Sequence, residues 1–373
     1  MKRKQRILVF RIGQLGDTVV ALPALWVVRK EFPDAEITLL CDRQVSKNYV
    51  FAADLFTGSS LIDAFESYPF HAGGGQRLLR PLTMVPATLR LRANKFDALV
   101  YLAPSARTQK QMDRDRQFFK ALGIHRLIGM CEIGGGAPRL SSGQAGVMAH
   151  EADLLLARLA ASGIPIPPPQ SGCMDLEIGP PELEQVSRWL ADLPGDGGRR
   201  WLGLGPGSKM PAKHWPTDRY AAVVQRLIEE FDVWPVVFGG PEDRTEGEQL
   251  LAGWGRGYNA AGFLGVRAAA AALGRCILYL GNDTGTMHLA AAMRVKCVAV
   301  FSSRDVPGRW NPYGQGHAVL RSQIECEGCG LVECLERKNE CLKRISADEV
   351  IAKCDDLLRR AIGRKIPSVT ASL

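Results

Sequence analysis

No apolar run in this chain of 373 residues reaches the roughly 18 residues that a helix needs to cross a bilayer. The start Met1-Lys2-Arg3-Lys4-Gln5-Arg6 is basic, as in an export signal. However, the apolar stretch behind it breaks at Arg11 and Gly13 and meets Asp17, so no export segment forms and a cytoplasmic protein is expected. Aromatic residues make up only 7% and do not alternate with basic ones as a base-stacking surface requires. Zinc-finger, homeodomain and basic-zipper patterns are missing too, so nucleic acid is not an expected partner. Two nucleotide signatures are also lacking. Neither the P-loop spacing Gly-x-x-x-x-Gly-Lys-Ser/Thr nor Gly-x-Gly-x-x-Gly with a ribose-binding acid occurs, which sets aside P-loop chemistry and a dinucleotide cofactor.

What is present describes a folded protein. Hydrophobic residues make up 46% and charged residues 23%. The length suits two domains of about 150–200 residues each. A formal net charge of +8 favours acidic partners such as anionic lipid headgroups or phosphorylated small molecules. Ten cysteines in a chain expected to be cytoplasmic argue against a disulfide framework. Cys41, Cys131, Cys173, Cys276, Cys297 and Cys354 stand singly in apolar or amphipathic surroundings and read as core thiols. The other four form Cys326-x2-Cys329-x4-Cys334-x6-Cys341. The first pair has metal-ligand spacing and the second does not repeat it, so a structural metal, reduced thiols and a labile disulfide all stay open.

The first half opens with a short apolar strand, Arg6–Ile12, a Gly-containing loop (Gly13–Asp17), a helix ending near Phe32-Pro33 and a second strand, Glu36–Cys41, as a βαβ crossover requires. Further strands are expected at Phe96–Leu102 and Arg126–Met130, with loops at 70–81 and 133–148. Four prolines between Pro165 and Pro169 forbid helix and mark the domain boundary. The second half repeats the plan. Strands are expected at Trp201–Leu204, Val233–Phe238, Cys276–Leu280 and Lys296–Phe301, with helices at Glu182–Leu193, Thr217–Phe231, Glu242–Ala252 and Val266–Leu273. This alternation predicts two doubly wound α/β domains, whose ligands sit beyond the carboxyl ends of the strands. The expected division is 1–163, a Pro-rich linker 164–181, a second domain 182–345 that includes the cysteine cluster, and a last helix and tail 346–373.

Four loops fall at such strand ends. Asp17 reads either as a helix cap or as an ionised carboxylate able to act as general base on a hydroxyl. Gly205-Pro206-Gly207-Ser208-Lys209, with Lys213-His214-Trp215-Pro216 behind it, offers close backbone approach, a hydroxyl and cations for phosphate oxygens. Glu242, after Gly239-Gly240-Pro241, reads as a first-turn acid or as an acceptor for ribose hydroxyls. Gly281-Asn282-Asp283-Thr284-Gly285-Thr286-Met287-His288 breaks a strand and starts an Ala-rich helix, either as a capped helix or as an anion site.

In their order, these segments resemble the ADP-heptose:lipopolysaccharide heptosyltransferase family, glycosyltransferase family 9. The matching residues are Arg11-x3-Leu15-Gly16-Asp17-x5-Pro23, Pro206-Gly207-Ser208, Lys213-x-Trp215-Pro216, Phe238-Gly239-Gly240-Pro241-Glu242 and Asn282-Asp283-Thr284-Gly285-x2-His288-x-Ala290. The resemblance implies a GT-B fold: two doubly wound Rossmann-like domains facing across a central cleft, acceptor in the N-terminal one and donor in the C-terminal one. It also implies that the last helix returns to the first domain. The implied reaction is inverting transfer of a heptose from ADP-heptose to a lipopolysaccharide inner-core acceptor, with no metal or other cofactor. Asp17 would be the base, with Arg11 and Gly16 in the acceptor-side loop. Ser208, Lys209 and Lys213 would hold donor phosphate, Glu242 the ribose, and Asp283, Thr284, Gly285 and His288 the diphosphate and sugar. The implied partners are the nucleotide sugar, a lipid-linked anionic saccharide and the inner face of the cytoplasmic membrane. One departure is Gly207-Ser208-Lys209-Met210, which lacks the paired threonines common in this family. Another nucleotide sugar, a capsular or protein acceptor, or a non-catalytic nucleotide-sugar-binding protein are the alternative readings.

Overall fold

Arg6–Phe10 is a nearly unbroken apolar run, and only a strand covered on both faces buries such a run completely. A computed structural model, which describes residues 3–43, 50–69, 80–133, 146–195 and 198–363, places it inside a sheet. The chain divides into two units, Met1–Gly179 with Val306–Gln315, and Pro180–Asp305 with Gly316–Leu373.

The first unit holds five parallel strands: β1 (Arg6–Phe10), β2 (Glu36–Arg43), β3 (Ala64–Pro69), β4 (Ala98–Tyr101) and β5 (Arg126–Ile128). Their order is β3-β2-β1-β4-β5, with Leu8 level with Thr38 on one side and Leu99 on the other. The strand order therefore reverses between β1 and β4, where doubly wound sheets open a crevice. Its core gathers Leu8, Phe10, Leu99, Tyr101, Met112 and Phe119.

The second unit holds six parallel strands: β6 (Arg200–Gly205), β7 (Val233–Val237), β8 (Tyr258–Asn259), β9 (Cys276–Asn282), β10 (Cys297–Phe301) and β11 (Ala318–Arg321). They run β11-β10-β9-β6-β7-β8, so the reversal lies between β6 and β9. Helix Thr217–Phe231 lays Tyr220, Val223, Val224, Leu227 and Phe231 on this sheet, the i, i+3, i+4, i+7 stripe of an amphipathic helix.

Three expectations change. Residues 164–179 are not a free linker but part of the first unit. Ile164 and Leu176 are buried, Gln170 N–H donates to Asp153, and Ser60 N–H and Oγ donate to Glu177. The last helix, Ala347–Gly363, stays in the second unit, because Val350, Cys354 and Leu358 bury one stripe in that unit's own core. It is instead Val306–Gln315 that belongs to the first unit. Finally, helix Gln109–Ala121 stands where no element was expected, and of the expected loops 70–81 and 133–148, residues 80–81 begin helix Arg80–Ala93. The remainder of those loops, 70–79 and 134–145, lies outside the described residues, as does His71.

Candidate functional site

In the second unit two of the predicted residues, Lys213 and Asp283, meet where the strand order reverses. β6 ends at Gly205, and a Cβ there would fall 1.9 Å from the Tyr279 hydroxyl, so only glycine fits. The chain then turns through Ser208, whose Oγ accepts from Met210 N–H at 3.1 Å while its own proton stays available to a ligand. A single 3-10 turn, Pro211–Lys213, follows. Lys213 Nζ lies 2.5 Å from Asp283 Oδ2, just beyond the end of the neighbouring β9, and 3.8 Å from Asp305 Oδ2. The Lys213 and Asp283 side chains are 13% and 7% exposed, so this pair is largely withdrawn from water.

Asn282, fully buried, sets the spacing. Its amide donates to Pro206 O at 2.5 Å, and its Oδ1 accepts from the Tyr220 hydroxyl at 2.9 Å and Trp215 N–H at 3.3 Å. It thereby ties the strand end to the loop on either side of Lys213. Neither Asp283 nor Thr284 caps the helix Gly285–Ala292 with its side chain. The cap reading therefore gives way: Asp283 is spent on Lys213, and Thr284 Oγ1 meets Thr286 Oγ1 at 3.0 Å. Gly285 is the first residue of the helix, so its N–H is among the amides a helix start leaves without an intrahelical partner. His288 is 3% exposed and belongs to the packing beneath the loop, not to an open surface.

Lys209 and Glu242 sit apart from this pair and face each other at 3.8 Å, half-exposed, which contributes little to stability. The neighbouring Asp243 is the more constrained acid. Gly240 N–H donates to it at 2.8 Å, and a Cβ at Gly207 or Gly239 would strike its carboxyl. Burial pushes the Asp243 carboxyl up from its ordinary range.

In the first unit Asp17 lies in the first turn of helix Leu15–Val19. Its Oδ2 accepts from Gln14 N–H at 2.9 Å, so the cap reading is realised here, and the side chain is still 24% exposed. The turn is made by Gly13, at φ +126°, and not by Gly16, which is already helical; a Cβ on Gly13 would also meet the Asp17 side chain. Arg11, 1% exposed, is not an open acceptor-side group. It donates to Leu102 O at 2.7 Å and to the Asp17 carbonyl, with the Asp17 carboxylate at 3.7 Å, and so fixes the turn from below.

Several polar groups were not anticipated from sequence. Glu151 is fully buried and accepts from Ser105 N–H at 2.7 Å, Ser105 Oγ at 2.6 Å and Arg309 Nε at 2.9 Å. Burial raises its pKa, but Arg309 and Ser105 outweigh that and hold the carboxyl below its usual range. His150 is buried and caps helix Glu151–Ala160. Its Nδ1 accepts from Ala152 N–H, so Nε2 carries the proton toward Asn311 O at 2.8 Å. Asp113 and Asp115, an Asp-x-Asp pair, are engaged by Arg116 and by Arg107 and the Tyr101 hydroxyl respectively. Among the core thiols, Cys131 is only partly buried and Cys173 is exposed, whereas burial drives the Cys41 thiol up to about 12. All ten cysteines are free, and among the described residues no group of three or more His, Cys, Asp or Glu could hold a metal ion.

This geometry can be set beside known proteins. Residues 161–339 match the family model described as glycosyltransferase family 9 (heptosyltransferase). The crystal structure of the family 9 glycosyl transferase from Veillonella parvula superposes with a TM-score of 0.70 at 22% identity, covering 96% of this chain and 99% of that one. The family-model match covers just under half of the chain. The fold is the GT-B fold. The structure of Escherichia coli ADP-heptose lps heptosyltransferase II is similar as well, with a TM-score of 0.67 at 19% identity over 95% of this chain and 99% of that one. A curated relative, lipooligosaccharide heptosyltransferase 2 of Campylobacter jejuni, is 26% identical over 175 residues. That alignment covers 44% of this chain and 53% of the relative, so the chain spans about half the length of the curated protein it matches.

Proposed function

We propose that this chain is an inverting glycosyltransferase that moves a heptose from ADP-heptose to a lipopolysaccharide inner-core acceptor. The observation that carries the reading is the Lys213–Asp283 pair, 2.5 Å apart at the carboxyl ends of β6 and β9 and beside the start of helix Gly285–Ala292. An ammonium, the amides of a helix start and the Ser208 and Thr284 hydroxyls of the adjoining loops make a set suited to a diphosphate whose negative charge grows as it departs. Lys209 serves the same phosphates, Glu242 the ribose, and His288 supports the loop from beneath.

In the first unit Asp17 is the base. It takes the proton of the acceptor hydroxyl as that oxygen bonds to the anomeric carbon, while the bond from that carbon to the phosphate oxygen breaks. Arg11 and Gly16 hold the turn that presents Asp17. No step in this scheme requires a metal ion. The decisive experiment compares Asp17→Ala with the native protein in heptose transfer and in ADP binding. Transfer should fall by about 10²–10⁴-fold with ADP binding retained. Normal turnover by the variant would remove Asp17 as the base.

A further inference from the structure

Lys213 faces a second carboxylate, Asp305, that no motif singled out. Asp305 follows the end of β10 and pairs with the guanidinium of its neighbour Arg304. Arg304 is 11% exposed and fully committed: Nε donates to Leu331 O at 2.6 Å, Nη2 donates to Gly330 O at 2.8 Å, and Nη1 faces Asp305. Gly330 N–H returns a bond to Arg304 O at 2.9 Å. One residue further on, Val332 O accepts from Ala212 N–H at 3.0 Å, and Asn339 Nδ2 donates to Pro211 O at 2.8 Å. The short stretch 330–332, inside the cysteine-bearing segment, therefore grips both supports of Lys213: the turn that carries it and the Arg304–Asp305 pair.

Charge gives this arrangement a purpose. One ammonium between two carboxylates would leave the locality net negative, which repels a phosphate. Arg304 offsets the second carboxylate, so two cations balance two anions. A lysine in place of Arg304 could not do the same, because only the planar guanidinium fork serves two carbonyls and a carboxylate at once.

We propose that Arg304, acting through Asp305, is a positioning residue for Lys213, and that the segment from Cys326 to Cys341 is the brace that fixes it. The proposal rests on the reading of Lys213 as a phosphate-holding residue, but its test does not depend on that reading alone. The first measurement uses no ligand: acetylation of Lys213 by acetic anhydride in the full chain, followed by peptide mass spectrometry. Arg304→Gln and Asp305→Asn should each speed the labelling of Lys213 several-fold, Arg304→Lys should not restore the native rate, and a surface lysine such as Lys353 should label unchanged. Equal Lys213 labelling in all variants would overturn the proposal.

The second measurement is ADP titration calorimetry. Lys213→Ala should weaken ADP binding by about tenfold, a coupling of ordinary size for one charge pair. Asp305→Asn should weaken ADP binding in the native background and add nothing in the Lys213→Ala background. A loss from Asp305→Asn that persists without Lys213 would overturn the positioning role. Normal ADP binding by Lys213→Ala would instead overturn the phosphate reading, while the labelling result still decides the brace.

Discussion

Asp17 and Asp283 occupy matching places in the two units. Each follows a strand at which the sheet order reverses, and each stands at the start of a helix. Yet their partners differ in kind. Asp17 takes the N–H of Gln14, three residues back, and its cation, Arg11, lies on the same turn. Asp283 takes a lysine seventy positions away and leaves its own helix uncapped. The first carboxylate is positioned by its own turn and remains partly open. The second is positioned by the fold and is nearly closed off. A proton acceptor needs the first kind of setting, and a residue that holds a cation in place needs the second.

This contrast can be broken at four points, given in order of expected effect. Glu151→Ala leaves the Arg309 guanidinium buried without its carboxylate and should cost about 3–5 kcal/mol in urea unfolding. Asp283→Asn removes the close counter-ion of Lys213 and should cost about 1–3 kcal/mol by the same measurement, since Asp305 at 3.8 Å makes good only part of the loss. The third concerns pH. Burial holds His150 below its ordinary value despite the Asn311 carbonyl, so the unfolded state binds the proton first. Stability is then full above about pH 6.5 and falls as the pH drops toward the folded value. Urea midpoints between pH 7.5 and pH 5.5 should fall more steeply for the native chain than for His150→Asn, which keeps an N-cap acceptor but no titrating ring. The smallest effect belongs to Asp17→Asn. Its amide oxygen still accepts the Gln14 N–H, so stability should change by less than about 1 kcal/mol. A loss as large as that of Asp283→Asn would erase the distinction between the two turns.

The periodicity of the sequence located helices Thr217–Phe231 and Val266–Leu273 to the residue, because their apolar stripes and boundaries are local properties. Strands β3, β8 and β11 escaped it. β8 and β11, two and four residues long, exist through pairing with a neighbour and not through their own pattern, and β3 carries Glu66 and Ser67 in place of an apolar run. Helix Gln109–Ala121 escaped for a different reason. Its residues are mostly charged or polar, and the buried set, Met112, Asp115 and Phe119, includes an acid that only its partners make tolerable. Within the candidate site the loops were legible because glycines and prolines mark them. Asn282 stood in a matched segment, but its role as the tie between β9 and the Pro206–Trp215 loop needed the folded chain.

By itself, the sequence determined the doubly wound α/β class, the strand-end turns and the family resemblance, since these depend on spacings of a few residues and on which residue types a tight turn admits. It also supplied a helix-capping acid at Asp17, whose partner lies within one turn. Only the tertiary structure decided which of 39 acidic residues would face Lys213, that Arg304 would neutralise one of them, and that the cysteine-bearing segment would brace the pair. The reason is physical. A charge has no sequence range: any acid could satisfy a lysine, and the choice is made by the strands that bring two distant loops within 3 Å.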